Sequence, residues 1–282
     1  MQVAMCDGSV YMKICVIGLG EVGFATAKYL LDKGLDVWGY DISSAAVERA
    51  KKAGIMRATQ VWDAIPSADV YLICVYTGLK GEVPDLSAIF DACEKVKGKT
   101  GLSAKPLVSV ESTIVPGLCK RVFNDIFEQR VSLVHVPHRY WAEEPAKHGV
   151  KQSRVIGGVD ADSLKSGSKF YRDVLRIPLH VVSSVEVAEM SKIAENAYRY
   201  VQIAFAEELR MICEEINMCF DEVREACNTK WNIEILEARD GIAGHCLPKD
   251  TRYLSSLTSF NVLIKGALTV DEQYKKWLKL KG

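Results

Sequence analysis

The sequence predicts an α/β protein in which a doubly wound parallel sheet is followed by a smaller all-helical domain. Three observations carry this. Apolar runs of strand length, Ile14 to Ile17, Val37 to Tyr40 and Val70 to Val75, alternate with helical segments, the pattern of βαβ units. Gly18, Gly20 and Gly23 fall at G-x-G-x-x-G spacing directly after the first run. From Val185 to Asn217 apolar residues recur at helical spacing with no proline or glycine, which predicts one helix of about thirty residues, roughly 45 Å long. The expected division is 1–184 for the sheet domain and 185–282 for the helical one.

Each glycine of the first turn has its own task. Gly18 permits the sharp bend after the strand, Gly20 lets a pyrophosphate approach the backbone, and Gly23 lets the following helix pack close to the sheet. Leu19, Glu21 and Val22 complete a turn whose amides, at a helix N-terminus, suit phosphate oxygens. Asp41 ends the second run, eighteen residues after Gly23, where a carboxylate accepts hydrogen bonds from ribose hydroxyls and repels a 2′-phosphate. The cofactor expected on this Rossmann-type turn is therefore NAD rather than NADP. Glycine turns also occur in α/β sheets that bind no nucleotide; it is the ordered set of strand, glycines, helix, strand and acid that points to a dinucleotide.

Composition narrows the class. With 49% hydrophobic residues among 282, the chain can bury a large core. Thirty-six basic residues balance thirty-six acidic ones, so charge calls for neither nucleic acid nor an anionic membrane. No apolar run reaches the length of a transmembrane helix, and the first ten residues lack the pattern of a leader peptide, so a cytoplasmic location is expected. Nine cysteines with no C-x-x-C pair suggest neither zinc nor a redox motif, and no metal is expected. Cys15, Cys74, Cys213, Cys219 and Cys227 lie in strand or helix patterns and read as small buried hydrophobes.

The remaining elements follow in order. Ser43 to Ala53 reads as a helix with serines to cap it and Gly54 to end it. Val70 to Val75 runs into Tyr76-Thr77-Gly78, which makes Thr77 a candidate cofactor contact at the strand's carboxyl end, where open α/β sheets bind ligands. Pro106 to Val110 leads to Ser112 and Thr113 at the same edge, where turn chemistry explains such residues equally well. Ser132 to Val136, Arg154 to Gly158 and Leu179 to Val182 read as strands and Ala161 to Leu175 as a helix. Further helices are expected at Asp221 to Asn228, Lys249 to Leu257 and Phe260 to Leu280.

A second stretch carries chemistry: G-I-A-G-H-C-L-P-K-D, Gly241 to Asp250. Cys246 stands just before an expected helix and near Lys249. A helix N-terminus and a cation both favour the thiolate, the nucleophilic form, although a lone cysteine is more often structural.

With G-L-G-E-V-G, S-T-I-V-P-G, P-H-R followed by R-V-I-G-G, E-M-S-K-I-A-E-N and G-H-C-L-P-K-D in this order, the chain resembles the NAD-dependent nucleotide-sugar 6-dehydrogenases. These include UDP-glucose, GDP-mannose and UDP-N-acetylmannosamine dehydrogenases, enzymes of polysaccharide biosynthesis. The resemblance implies oxidation of a primary alcohol to a carboxylate by two hydride transfers to two NAD molecules. Cys246 matches the nucleophile, whose thiohemiacetal is oxidised to a thioester that water cleaves. Lys192 and Asn196, four apart on one helix, match residues that hold an oxyanion. Asp250 and Thr113 match residues that order the catalytic water and the lysine, and Lys249 matches a cofactor contact. His245 is read as packing or shaping the substrate site. The family's long helices pair, so a homodimer is expected, with the apolar stretch Phe260 to Leu268 needing cover.

Three departures stand out. Pro137-His138 replaces the family's proline-glutamate, so His138 becomes a candidate hydrolytic base, with Glu143 and Glu144 as alternatives. Ala243 replaces a glycine. Family members continue beyond the last helix into a third, nucleotide-binding domain, and the sequence given ends at Gly282, so a shortened chain is expected. Two other functions fit the sequence: a two-electron hydroxy-acid dehydrogenase, which would not need Cys246, and a non-catalytic NAD-binding subunit that pairs with a separate nucleotide-binding chain.

Overall fold

The structure is a computed structural model and describes residues 12–100 and 105–281. The first ten residues, read above for a leader, lie outside it. In chain order the elements are β1 (Lys13–Ile17), α1 (Glu21–Asp32), β2 (Asp36–Tyr40), α2 (Ser44–Lys52), β3 (Ala58–Thr59), β4 (Val70–Ile73), β5 (Gly78–Lys80) and β6 (Val83–Asp85). Then come α3 (Ser87–Lys97), β7 (Leu107–Val110), α4 (Leu118–Asp125), β8 (Ser132–His135), β9 (Arg154–Gly158), α5 (Ala161–Lys169) and β10 (Leu179–Val181). The helical part comprises α6 (Val185–Glu215), α7 (Phe220–Asn228), α8 (Cys246–Ser256) and α9 (Val262–Lys281).

Eight strands form one sheet in the order β10-β9-β8-β7-β4-β1-β2-β3. All its pairs are parallel except β8 with β9. Ile14 is registered with Val37 on one side and Val70 on the other, so β1 is central and its order reverses there, the crevice where open α/β sheets bind ligands. Side chains alternate between faces: Ile14, Val16 and Leu72 join one core cluster, and Cys15, Ile17, Tyr71 and Ile73 join the other. Burial on both faces is why these strands read as continuous apolar runs.

The sheet domain and the helical domain stand as expected; several details differ. Helices α3 and α4 were not anticipated. In α3, Ile89, Ala92, Cys93 and Val96 recur at helical spacing and are all buried, but the stripe is short and flanked by charge. The helix expected from Ala161 to Leu175 changes into a π-helical turn at Phe170–Val174, which buries Phe170 and Tyr171 side by side. The cysteines divide: Cys15 and Cys213 are buried, whereas Cys219, the extended residue that caps α7, and Cys227 on α7 are exposed.

The chain forms two compact units, residues 12–78 with 85–191 among the described residues, and residues 79–84 with 192–281. The boundary falls inside α6, past the expected 184. The first residues of α6 belong to the first unit because Glu189 accepts hydrogen bonds from the Gly117 and Cys119 amides (2.6 and 2.8 Å), which caps α4, while Glu186 pairs with Lys120 at 2.6 Å. In the second unit Glu82, between β5 and β6, meets Arg252 of α8 at 3.3 Å.

Candidate functional site

The nucleotide turn is built as its glycines require. Gly18 has φ +88°, and a Cβ there would lie 2.6 Å from the Cys74 carbonyl oxygen. A Cβ on Gly23 would lie 1.8 Å from the Gly18 oxygen. At Gly20, the residue capping α1, a Cβ would meet nothing within 4 Å, and no side chain caps the helix, so a phosphate can approach the first-turn amides. Glu21 is exposed and Val22 half-buried at this rim.

Leu19 is buried, so it offers a cofactor only its backbone, and both backbone groups are already engaged. Its N–H donates to Asp41 Oδ2 at 2.6 Å and its carbonyl accepts from Arg49 at 2.6 Å. Asp41 also accepts from the Ser43 N–H at 2.8 Å, so it braces the turn while retaining lone pairs for ribose hydroxyls. Arg49 was missed because nothing in α2's sequence distinguishes it from a solvated charge. Thr77 is buried just beyond β4, and Thr113 is half-buried beyond β7, both at carboxyl ends.

His138 is only 6% exposed, and its Nε2 contacts Glu111 and, at 3.1 Å, the Thr26 hydroxyl. Glu111, at the end of β7, also accepts from the Tyr171 hydroxyl and lies 3.3 Å from Arg154. Burial pushes the Glu111 carboxyl up, but the charges of His138 and Arg154, with hydrogen bonds from His138 and Tyr171, reverse this and hold it down at about 2. Cys74, Glu111 and His138 lie close enough to share a metal ion. The Arg154 guanidinium and the Tyr171 hydroxyl already occupy the carboxylate, however, and their presence opposes a divalent cation. Sequence reading missed Glu111, Arg154 and Tyr171 because three separate segments supply them. Glu143 and Glu144 are exposed on a loop.

In the second unit, Cys246 is exposed and is the first residue of α8, one turn earlier than the sequence suggested. Asp250, one turn on, is 1% exposed. It accepts from the Asn196 side-chain amide and pairs with Lys249 at 2.6 Å. Lys249 is itself 5% exposed and lies 4.5 Å from the centre of the Tyr253 ring. Lys192 is half-buried one turn before Asn196. Burial lowers its pKa, and the charges of Asp250, Glu195 and Cys246 oppose that effect while Lys249 adds to it. His245 is exposed at the N-cap of α8, and Ala243 is exposed beside it.

A dinucleotide turn on a parallel sheet, followed by a helical unit in which Lys192, Asn196, Asp250 and Cys246 lie near one another, defines an NAD-binding protein. Comparison with known proteins narrows this. The model of the NAD binding domain of the UDP-glucose/GDP-mannose dehydrogenase family matches residues 47–175, and that of its central domain matches residues 186–268. The UDP-N-acetyl-D-mannosamine dehydrogenase of Methanocaldococcus jannaschii is 32% identical over 296 residues, covering 95% of this chain and 69% of that protein. Its counterpart from Methanococcus vannielii is 29% identical, covering 93% and 65%. The structure of UDP-D-ManNAc dehydrogenase from Pyrococcus horikoshii superposes with a TM-score of 0.85 at 30% identity, covering 94% of this chain and 69% of that one. The chain belongs to the UDP-glucose/GDP-mannose dehydrogenase family, and it spans about two thirds of the length of these relatives.

Proposed function

We propose that the chain oxidises the primary alcohol of a nucleotide sugar to the uronic acid, through a thiohemiacetal and then a thioester on Cys246. One observation carries the proposal: Lys192, Asn196 and Asp250 gather with Cys246 in one unit, and α8 begins at that cysteine. NAD, when bound at the glycine turn, supplies the electron acceptor. Lys192, with its pKa lowered by burial, takes the alcohol proton as the neutral amine, and the ammonium so formed faces the alkoxide and can return the proton. Asp250 holds one N–H of Asn196, which leaves the second to donate to the same oxygen. Cys246 adds to the aldehyde carbon, and oxidation of that adduct leaves the acyl group on sulfur for attack by water.

In this reading Lys249 neutralises Asp250, and His138 holds Glu111 in place rather than deprotonating water. Thr113 supplies a polar contact at the sheet edge. The substrate class rests on the relatives, and UDP-N-acetylmannosamine is the first compound to try. A panel of UDP- and GDP-sugars with NAD, followed by NADH absorbance and product analysis, tests the proposal. Two NADH per sugar, lost in Cys246→Ser, supports it. One NADH per substrate, or Cys246→Ser with full activity, favours the two-electron alternative; no turnover with any sugar favours the non-catalytic subunit.

We also infer a homodimer through α6, which exposes Tyr198, Phe205 and Ile212 at seven-residue intervals, a stripe along one helix face. Phe260, Val262 and Leu263 are exposed at the start of α9 and add apolar surface. Sedimentation at micromolar concentration tests this; a stable monomer refutes it. Among the described residues no helix is long and apolar enough to cross a membrane.

A further inference from the structure

Cys246 lies on an exposed arc, residues 243–246, anchored at both ends. The far anchor is the buried pair Lys249 and Asp250, described above. The near anchor is Ile242, whose side chain is 3% exposed and packs with Tyr200, Ala204 and Ala267. Both backbone groups of Ile242 are held by side chains of α9: its N–H donates to Asp271 Oδ1 at 2.8 Å, and its carbonyl accepts from Lys275 at 2.8 Å. Lys275 also bonds Asp271 Oδ2 at 2.8 Å, and the Tyr200 hydroxyl donates to that same oxygen at 2.7 Å.

The geometry points to Asp271, Lys275 and Tyr200 as positioning residues for the nucleophile, forming a clamp that fixes where the arc begins and so where Cys246 meets the substrate. Three details support it. Gly241 and Gly244, on either side of Ile242, both have left-handed φ (+91° and +79°), so without outside restraint this stretch has broad backbone freedom. Tyr200 stands one turn beyond Asn196 on α6, so a single helix carries both the amide proposed to face the oxyanion and a member of the clamp. Side chains also hold the carbonyls of the irregular chain leading up to the arc, since Arg210 donates to Ala238 at 2.8 Å and Tyr274 to Arg239 at 2.7 Å.

This inference rests on Cys246 being the nucleophile, so its test uses a readout that needs no turnover. The full-length chain is treated with iodoacetamide, and alkylation rates at Cys246, Cys219 and Cys227 are compared by peptide mass mapping. Lys275→Met removes the cation and keeps the aliphatic stem, and Lys275→Arg keeps the charge. We expect Lys275→Met to change the Cys246 rate at least fivefold, with Cys219 and Cys227 unchanged, and Lys275→Arg to restore most of it. Where a substrate is in hand, kcat should fall tenfold or more in Lys275→Met with KM for NAD unchanged. Circular dichroism and melting verify that the variant is folded; should it not fold, Tyr200→Phe, which removes only the hydroxyl, is read in its place, and a changed Cys246 rate with Cys219 and Cys227 unchanged is again expected. An unchanged Cys246 rate in a folded variant overturns the clamp. A changed rate in a protein that oxidises no sugar leaves the clamp standing and overturns the proposed function.

Discussion

Replacing Glu207 with glutamine removes one ionisable group and almost no volume, at a place where the structure makes ionisation costly. Glu207 lies on α6 with 0% exposure, and neither carboxyl oxygen has a hydrogen-bond partner among the described residues. Burial pushes its pKa from 4.5 up to about 8, the Asp271 charge adds to the rise, and Lys275 opposes it. The sign follows from proton counting. Between pH 4.5 and 8 the folded state keeps a proton that the unfolded state has lost, so stability falls as pH rises through that window. Each pH unit costs at most about 1.4 kcal/mol, which accumulates to roughly 3 kcal/mol by pH 7. Relaxation of the carboxylate toward Lys275 makes these figures ceilings. The glutamine variant lacks the slope. Urea unfolding of both proteins at pH 5, 6, 7 and 8 should show the variant gaining on the wild type with each step. Parallel stability curves would refute the argument and mean that Glu207 is ionised and solvated in the folded protein.

Three further outcomes follow from the same geometry. Gly18→Ala should destabilise the first unit, since its φ is +88° and the new Cβ strikes backbone, whereas Gly20→Ala should melt like the wild type yet bind NAD about tenfold more weakly; equal melting of the two variants defeats this account. Asn196→Ala should lower kcat by about two to three orders of magnitude while NAD affinity, measured by calorimetry, is unchanged, and a kcat near wild type removes Asn196 from the oxyanion role. His138→Gln should lose stability, by roughly 1–3 kcal/mol, because Glu111 remains buried without one of the partners that hold its carboxyl group. Intact-mass analysis after one turnover should find no acyl adduct on Cys246 in that variant; an accumulated adduct would return His138 to the role of hydrolytic base.

Much of this protein is legible in its sequence because the signals are local. Gly18, Gly20, Gly23 and Asp41 lie within one βαβ unit, so their spacing alone specifies the turn and its cofactor. Lys192 and Asn196 share one helix, where a separation of four places them on the same face, and the uninterrupted apolar pattern of α6 announces its length. What required the tertiary structure is whatever brings distant segments together. His138 reads as a possible base in isolation; only the tertiary structure brings it onto Glu111, which Arg154 and Tyr171 also contact. Lys249 and Asp250 are neighbours in the sequence, and only the fold of α8 against α6 buries them and brings the Asn196 amide onto Asp250. Asp271 and Lys275 look like an ordinary charged pair one turn apart on α9 until Ile242, some thirty residues earlier, is seen between them. The physical reason is the same in each case: a side chain's type sets the bonds it can make, but its burial and its partners, which decide its charge and its role, are set by chain segments that the local sequence does not contain.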